Sequence, residues 1–199
     1  SIYKKNKNIG LADSIVSGVS QVLNEYSSII VLEDDIKTSP HFLKFMVDGL
    51  EKYKDSDEVI SITGFNYPLT NVSINSETFF IRGTECWGWA TWKKGWDIFE
   101  PDGKILLDKL RKTKSIYHFD FNGKYKFSKM LKDTIKINHS WAVKWYASAY
   151  IANKLTLYPV KSLVQNIGDK GTNVQQNNTK ILGLDISNDL ITKFEENLV

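Results

Sequence analysis

The spacing of apolar residues changes period several times along the chain, and each change marks the border of an element. From Leu11 to Tyr26 the residues Leu11, Ile15, Val19, Val22 and Leu23 recur at helical spacing behind Gly10. This helix leads into Ile29-Ile30-Val31-Leu32, four apolar residues of which three are β-branched. Such a run predicts a strand buried on both faces. It stops on three consecutive acids, Glu33-Asp34-Asp35. Ser39 then suits an N-cap and Pro40 a first helical position, ahead of a stripe made by Phe42, Phe45, Met46, Leu50 and Tyr53. Val59-Ile60-Ser61-Ile62 predicts a second strand, closing on Thr63-Gly64-Phe65-Asn66. Helix, strand, helix, strand in that order predicts an α/β domain with a parallel sheet.

After a polar loop from Tyr67 to Thr78, Phe79-Phe80-Ile81 predicts a short strand. A dense aromatic segment follows, with Trp87, Trp89, Trp92 and Trp96 close together. Trp89, Trp92 and Trp96 recur at helical spacing, so at least two should pack inward, leaving Trp87 to face a ligand. An indole has an apolar face and one N–H donor, which suits sugar rings as well as core packing. The Lys-rich stretch from Gly103 to Asp133 predicts two short helices, Ile105 to Lys112 and Tyr125 to Lys132, with its lysines as a solvated face. Ser140 to Tyr150 predicts a helix capped by Ser140. Leu155 to Pro159 reads as an edge strand, Ser162 to Val164 as another, and Leu190 to Leu198 as a final amphipathic helix.

A length of 199 residues suits one domain with a sizeable core. Lys and Arg exceed Asp and Glu by 26 to 23, a small excess that reads as spread along the chain and gives no reason to expect nucleic acid. The single cysteine, Cys86, forms neither an internal disulfide nor a cysteine zinc cluster. A reducing, cytoplasmic setting follows as the expectation. No apolar run approaches the ~18 residues of a membrane span, so membrane contact is expected to be peripheral at most, at the inner face.

The acidic triplet is the sharpest chemical signal. In open α/β sheets ligands bind beyond the carboxyl ends of the strands, and carboxylates there can hold a hard divalent cation that also binds a substrate's phosphates. A solvated strand end before a helix cap is the plain alternative. A haloacid-dehalogenase type of phosphatase fits poorly, because Glu33 stands where the nucleophilic Asp would have to be.

The run VLEDDIKTSPHFLKFM, with Ile62-Thr63-Gly64-Phe65-Asn66 after it, Phe79-Phe80 through Gly88-Trp89, and Asn166-Ile167-Gly168-Asp169-Lys170-Gly171, resembles GT-A-fold nucleotide-sugar glycosyltransferases in the same order. The style is close to N-acetylglucosaminyltransferase I, and CWGWATW, SWAVKWYAS and LYPVKSLVQNIG are similar to bacterial transferases that build surface polysaccharides. Asn8 and Gly10, with Gly18, fit the spacing that precedes the acidic strand in that family.

The resemblance implies a Rossmann-like, mostly parallel sheet flanked by helices, with a small antiparallel portion on the acceptor side. It implies a single domain over 1–199 that lacks the family's first nucleotide-binding strand and loop. It implies Asp35 as ligand to Mn²⁺ or Mg²⁺, and Glu33, Asp34, Asn8 and Gly10 on a UDP- or dTDP-type donor. Trp87 and Trp89 become a platform for the sugar, and the acceptor a glycan or a lipid-linked glycan. Inverting members carry an acid at the start of the helix that SWAVKWYAS resembles, where this chain has Ala142 and Val143. Glu85, slightly ahead of His139, is then the candidate for taking the acceptor's proton. The competing expectation is a non-catalytic carbohydrate-binding or interaction module on a degenerate GT-A fold.

Overall fold

A computed structural model describes residues 4–69, 74–168 and 185–197. Helix α1 (Leu11–Glu25) and strand β1 (Ser28–Val31) are joined by a reversal at Tyr26 and Ser27, so the helix lies back along the strand and buries Ala12, Val19 and Leu23. β2 (Ile36–Thr38) follows the acids, then α2 (Phe42–Lys52) and β3 (Val59–Thr63), whose five residues are all buried. β4 (Thr78–Arg82), β5 (Trp89–Trp92), β6 (Leu155–Pro159) and β7 (Val164–Asn166) are the remaining described strands.

The chain is α/β, and its five-stranded sheet runs β1-β5-β3-β6-β4. The expected mostly parallel sheet is in fact mixed. Among the described residues only β3 and β6 pair in parallel, while β1–β5, β3–β5 and β4–β6 are antiparallel. The reason is β5, which inserts between β1 and β3 so that Trp89 stands opposite both Val31 and Thr63. β1, β3 and β6 still point the same way, and their carboxyl ends share one edge, the acid edge. A separate two-stranded ladder pairs β2 with β7.

Helices cover both faces. On one, Phe42, Phe45 and Met46 of α2 pack on Ile62, Leu157 and Val164. On the other, α1 and α7 (Ala142–Ile151) enclose Trp89, Trp96, Trp141 and Trp145. Outside α7 sits a helical unit of α4 (Gly103–Lys112), α5 (Ile116–Phe119) and α6 (Phe127–Thr134), centred on Leu106, Leu110, Phe119 and Leu131.

Several expectations are corrected. The tryptophan segment is strand β5 followed by the short helix α3 (Lys93–Trp96), although Trp89, Trp92 and Trp96 are all buried as the spacing suggested. Leu155 to Pro159 is an interior strand, because its proline is the last residue and stands opposite Thr78 at the ladder's end. The second strand near the carboxyl end starts at Val164 rather than Ser162. α7 has no side-chain cap from Ser140; its N-cap is Trp141, buried and stacked on Trp89 at 5.3 Å. Packing rather than capping sets that helix start. Residues 185–197 carry no helix. Phe194 stacks on Phe45 at 5.7 Å, and the Thr192 and Lys193 N–H groups donate to Glu77 at 2.7 and 2.6 Å, so the segment is held extended across the fold.

Candidate active site

β1 delivers the acids to the acid edge, and a turn redirects the chain, with the Ile36 N–H donating to Glu33 O at 3.2 Å. The β2–β7 ladder then sets Ile36 opposite Asn166, and the Ile167 N–H donates to the Asp35 carbonyl oxygen at 2.8 Å. This brings the Asn166 side chain onto Asp35. Its Nδ2 donates to Asp35 Oδ2 at 3.2 Å while its Oδ1 accepts from the Gly168 N–H at 2.9 Å. Gly168 is pressed against the same carboxylate: a Cβ there would stand 2.5 Å from Oδ2.

Asp35 Oδ1 is buried and has no hydrogen-bond partner among the described residues. An unsatisfied buried carboxylate oxygen is costly, and a cation offsets that cost. Glu33, half-buried nearby, has its carboxyl pushed up to about 7, by burial first and then by the negative charges of Asp35 and Asp34. Asp34 is exposed. These features fit a divalent ion held by one or two carboxylates and completed by a ligand's phosphates. Among the described residues no three His, Cys, Asp or Glu side chains converge as a ready-made metal cage.

Residues 83–88 carry the chain from the far end of β4 back to the acid edge. Here Glu85 Oε1 accepts from the Cys86 N–H at 2.8 Å and from its thiol at 3.4 Å. Burial raises the Glu85 pKa, and the two hydrogen bonds only partly oppose it. Burial also pushes the Cys86 thiol far up, with the charges of Glu85 and then Glu33 adding to the shift, which disfavours the thiolate. Trp87 is half-buried, with its ring edge-on to Phe65 at 4.6 Å. Thr63 Oγ1 donates to the Trp87 carbonyl at 3.4 Å. Gly88 has φ 58, and a Cβ on it would meet Val164 Cγ1 at 2.9 Å. Only glycine makes this turn without strain.

Trp89 is a correction. It is 0 % exposed and lies among Trp96, Trp141 and Trp145, so it cannot offer a face to a sugar. Asn8 and Gly10 form a local side-chain turn ahead of α1, the Gly10 N–H donating to Asn8 Oδ1 at 2.8 Å, and the α1 hairpin onto β1 sets them toward the acid edge. His139 is exposed, its Nδ1 bonded to Ile137 O at 2.8 Å, and none of its hydrogen bonds reaches Glu85 or the acids. Asn166 is the residue that sequence reasoning missed as a partner of Asp35. It sits within the late-loop motif, but its contact with Asp35 spans 131 positions and leaves no local pattern. The rest of that motif, from Asp169, lies outside the described residues.

A groove of about 820 Å³ runs along β1 and α2, lined by Ile29, Ile30, Leu50, Trp92 and Lys94. It contains none of Glu33, Asp34 and Asp35, so the chemistry points to the acid edge instead. No protein-family model matches the chain, and no curated protein sequence matches it.

Proposed function

We propose that this chain is a glycosyltransferase domain with a GT-A-like, Rossmann-like sheet, moving a sugar from a UDP- or dTDP-type donor to a glycan or lipid-linked acceptor. The observation that carries the reading is the buried Asp35 Oδ1 just past the carboxyl end of β1, which has no hydrogen-bond partner among the described residues. Asp35 and Glu33 would hold Mn²⁺ or Mg²⁺, which supplies charge compensation to a diphosphate as it becomes the leaving group. Asn166 keeps the Asp35 carboxylate from rotating by its bond to Oδ2. Asp34, exposed on the same turn, is free to contact the ribose or base. Trp87 gives a half-buried aromatic edge for the sugar. Glu85 is favoured over His139 as the group that takes the acceptor's proton, because it lies on the 83–88 segment that returns to the acid edge while His139 is exposed and bonded to Ile137 O.

The test is release of nucleoside diphosphate from UDP- and dTDP-sugars with Mn²⁺, Mg²⁺ or chelator. The expected result is metal-dependent release that speeds up with acceptor. The second reading is a non-catalytic carbohydrate-binding module, for which half-buried Trp87 supplies the aromatic surface. Sugar binding without any release from every donor tried would establish it.

A further inference from the structure

The positive charge of this chain, which reads as a diffuse excess in the sequence, is gathered in one place. Residues 103–137 hold ten Lys and Arg against three Asp, a net +7, while the rest of the chain carries −4. These residues are the helical unit of α4, α5 and α6 mounted outside α7. All ten cations are exposed, and among the described residues only Arg111 has an acidic partner, Asp108 at 3.4 Å. Unpaired like charges repel one another, a cost that an anionic partner removes.

The same unit exposes apolar side chains that a merely solvated face has no use for. Tyr117 is 61 % exposed, Phe121 40 %, Tyr125 45 % and Ile137 70 %. The corner between α5 and α6 holds three of them. Phe121, Asn122 and Gly123 have successive positive φ values of 48, 55 and 76, and His118 Nδ1 bonds Asn122 Oδ1 at 2.9 Å, which fixes the corner's shape. Tyr117, Phe121 and Tyr125 therefore stand out between Lys114, Lys124 and Lys126.

We infer that this corner and the basic unit behind it dock on an anionic lipid bilayer. Lysine ammonium groups face lipid phosphates while the rings enter the headgroup layer, the pairing seen in interfacial segments. Nine lysines to one arginine, interleaved with Tyr, Phe and Ile, suit a lipid surface better than nucleic acid, where Arg dominates specific base contacts. The placement also links the surface to the candidate site. Rings follow one another from Trp87 to Phe65 at 4.6 Å, to Tyr67 at 4.9 Å, to Tyr125 at 6.4 Å and to Phe121 at 5.8 Å. Docking through the corner sets the acid edge beside the bilayer.

The test is flotation of the full chain with vesicles of phosphatidylcholine alone, or of phosphatidylcholine and phosphatidylglycerol in equal parts. Binding is expected to the anionic vesicles only, and to weaken with salt. Each lysine near such a surface contributes about fivefold in partitioning, so Lys114→Gln, Lys124→Gln and Lys126→Gln together should lower binding on the order of a hundredfold. Tyr117→Ser with Tyr125→Ser should lower it further, and Lys44→Gln, Lys52→Gln and Lys54→Gln should leave it unchanged. Circular dichroism establishes that each variant is folded. The inference is overturned if the parent ignores anionic vesicles, if it binds neutral ones equally, or if the distant lysine set matters as much. Retention on heparin or duplex DNA without vesicle binding also overturns it. None of these readouts depends on sugar transfer, so the outcome stands apart from that of the transferase reading.

Discussion

Asn166 holds one oxygen of Asp35 while the other has no partner among the described residues, the arrangement expected of a side chain that orients a metal ligand. Asn166→Ala should therefore weaken Mn²⁺-dependent binding of a nucleoside diphosphate by roughly 10–100-fold, with the melting temperature nearly unchanged. Calorimetric titration and a thermal melt check both halves. Glu85→Gln should slow transfer to acceptor far more than His139→Gln, since His139 is tied to a backbone carbonyl on an exposed loop. Equal losses in a transfer assay would displace Glu85 from the role. The tryptophans separate in the same way. Trp89→Ala removes a ring that is 0 % exposed and should cost about 3–5 kcal/mol in urea unfolding, whereas half-buried Trp87→Ala should lose less stability and more activity. Of these residues, the acids were legible because charge at the end of an apolar run is a local pattern. Asn166 was not, because what defines its role is a contact across the chain.

At the scale of elements, the edge depends on two glycines. The Gly64 N–H donates to Gly88 O at 2.7 Å, and a Cβ at Gly64 would stand 2.7 Å from the Phe42 ring. Gly64→Ala must displace that core ring and should destabilise by about 1–3 kcal/mol. Gly88→Ala adds a positive φ to the same crowding and should cost at least as much, measurable by urea unfolding. Helices α1, α2 and α4 could be read from sequence, since each buries one stripe against one neighbour. The segment around Leu190 could not. Its apolar spacing mimics a helix, but Ile191 and Phe194 are drawn into the α2 core and Glu77 holds the Thr192 and Lys193 N–H groups. β5 misled for a related reason: Trp89, Trp92 and Trp96 share a helical spacing while burial is supplied by two different elements.

For the whole molecule, alternating helices and strands correctly indicated an α/β chain but overstated its parallel pairing, because the insertion of β5 between β1 and β3 is a long-range event without local signature. The acid edge also sets a pH dependence. Glu33 in the folded chain titrates at about 7, above its ordinary value near 4.5, so the fold holds its proton more tightly than the unfolded chain does. This contribution to stability is fully present below about 4.5 and is lost as pH rises through about 7. Glu33→Gln should therefore melt increasingly above the parent between pH 5 and pH 8, and Mn²⁺ should raise the parent's melting temperature more at pH 8 than at pH 5. Thermal melts across that range check it. The central claim is that Asp35 gives the chain a cation-dependent site for a nucleoside diphosphate, and the most direct measurement is a calorimetric titration of UDP with and without Mn²⁺ into the parent and into Asp35→Asn. Binding should require Mn²⁺ in the parent and be lost in the folded variant. Equal affinity in both proteins, or affinity indifferent to the metal, would contradict it.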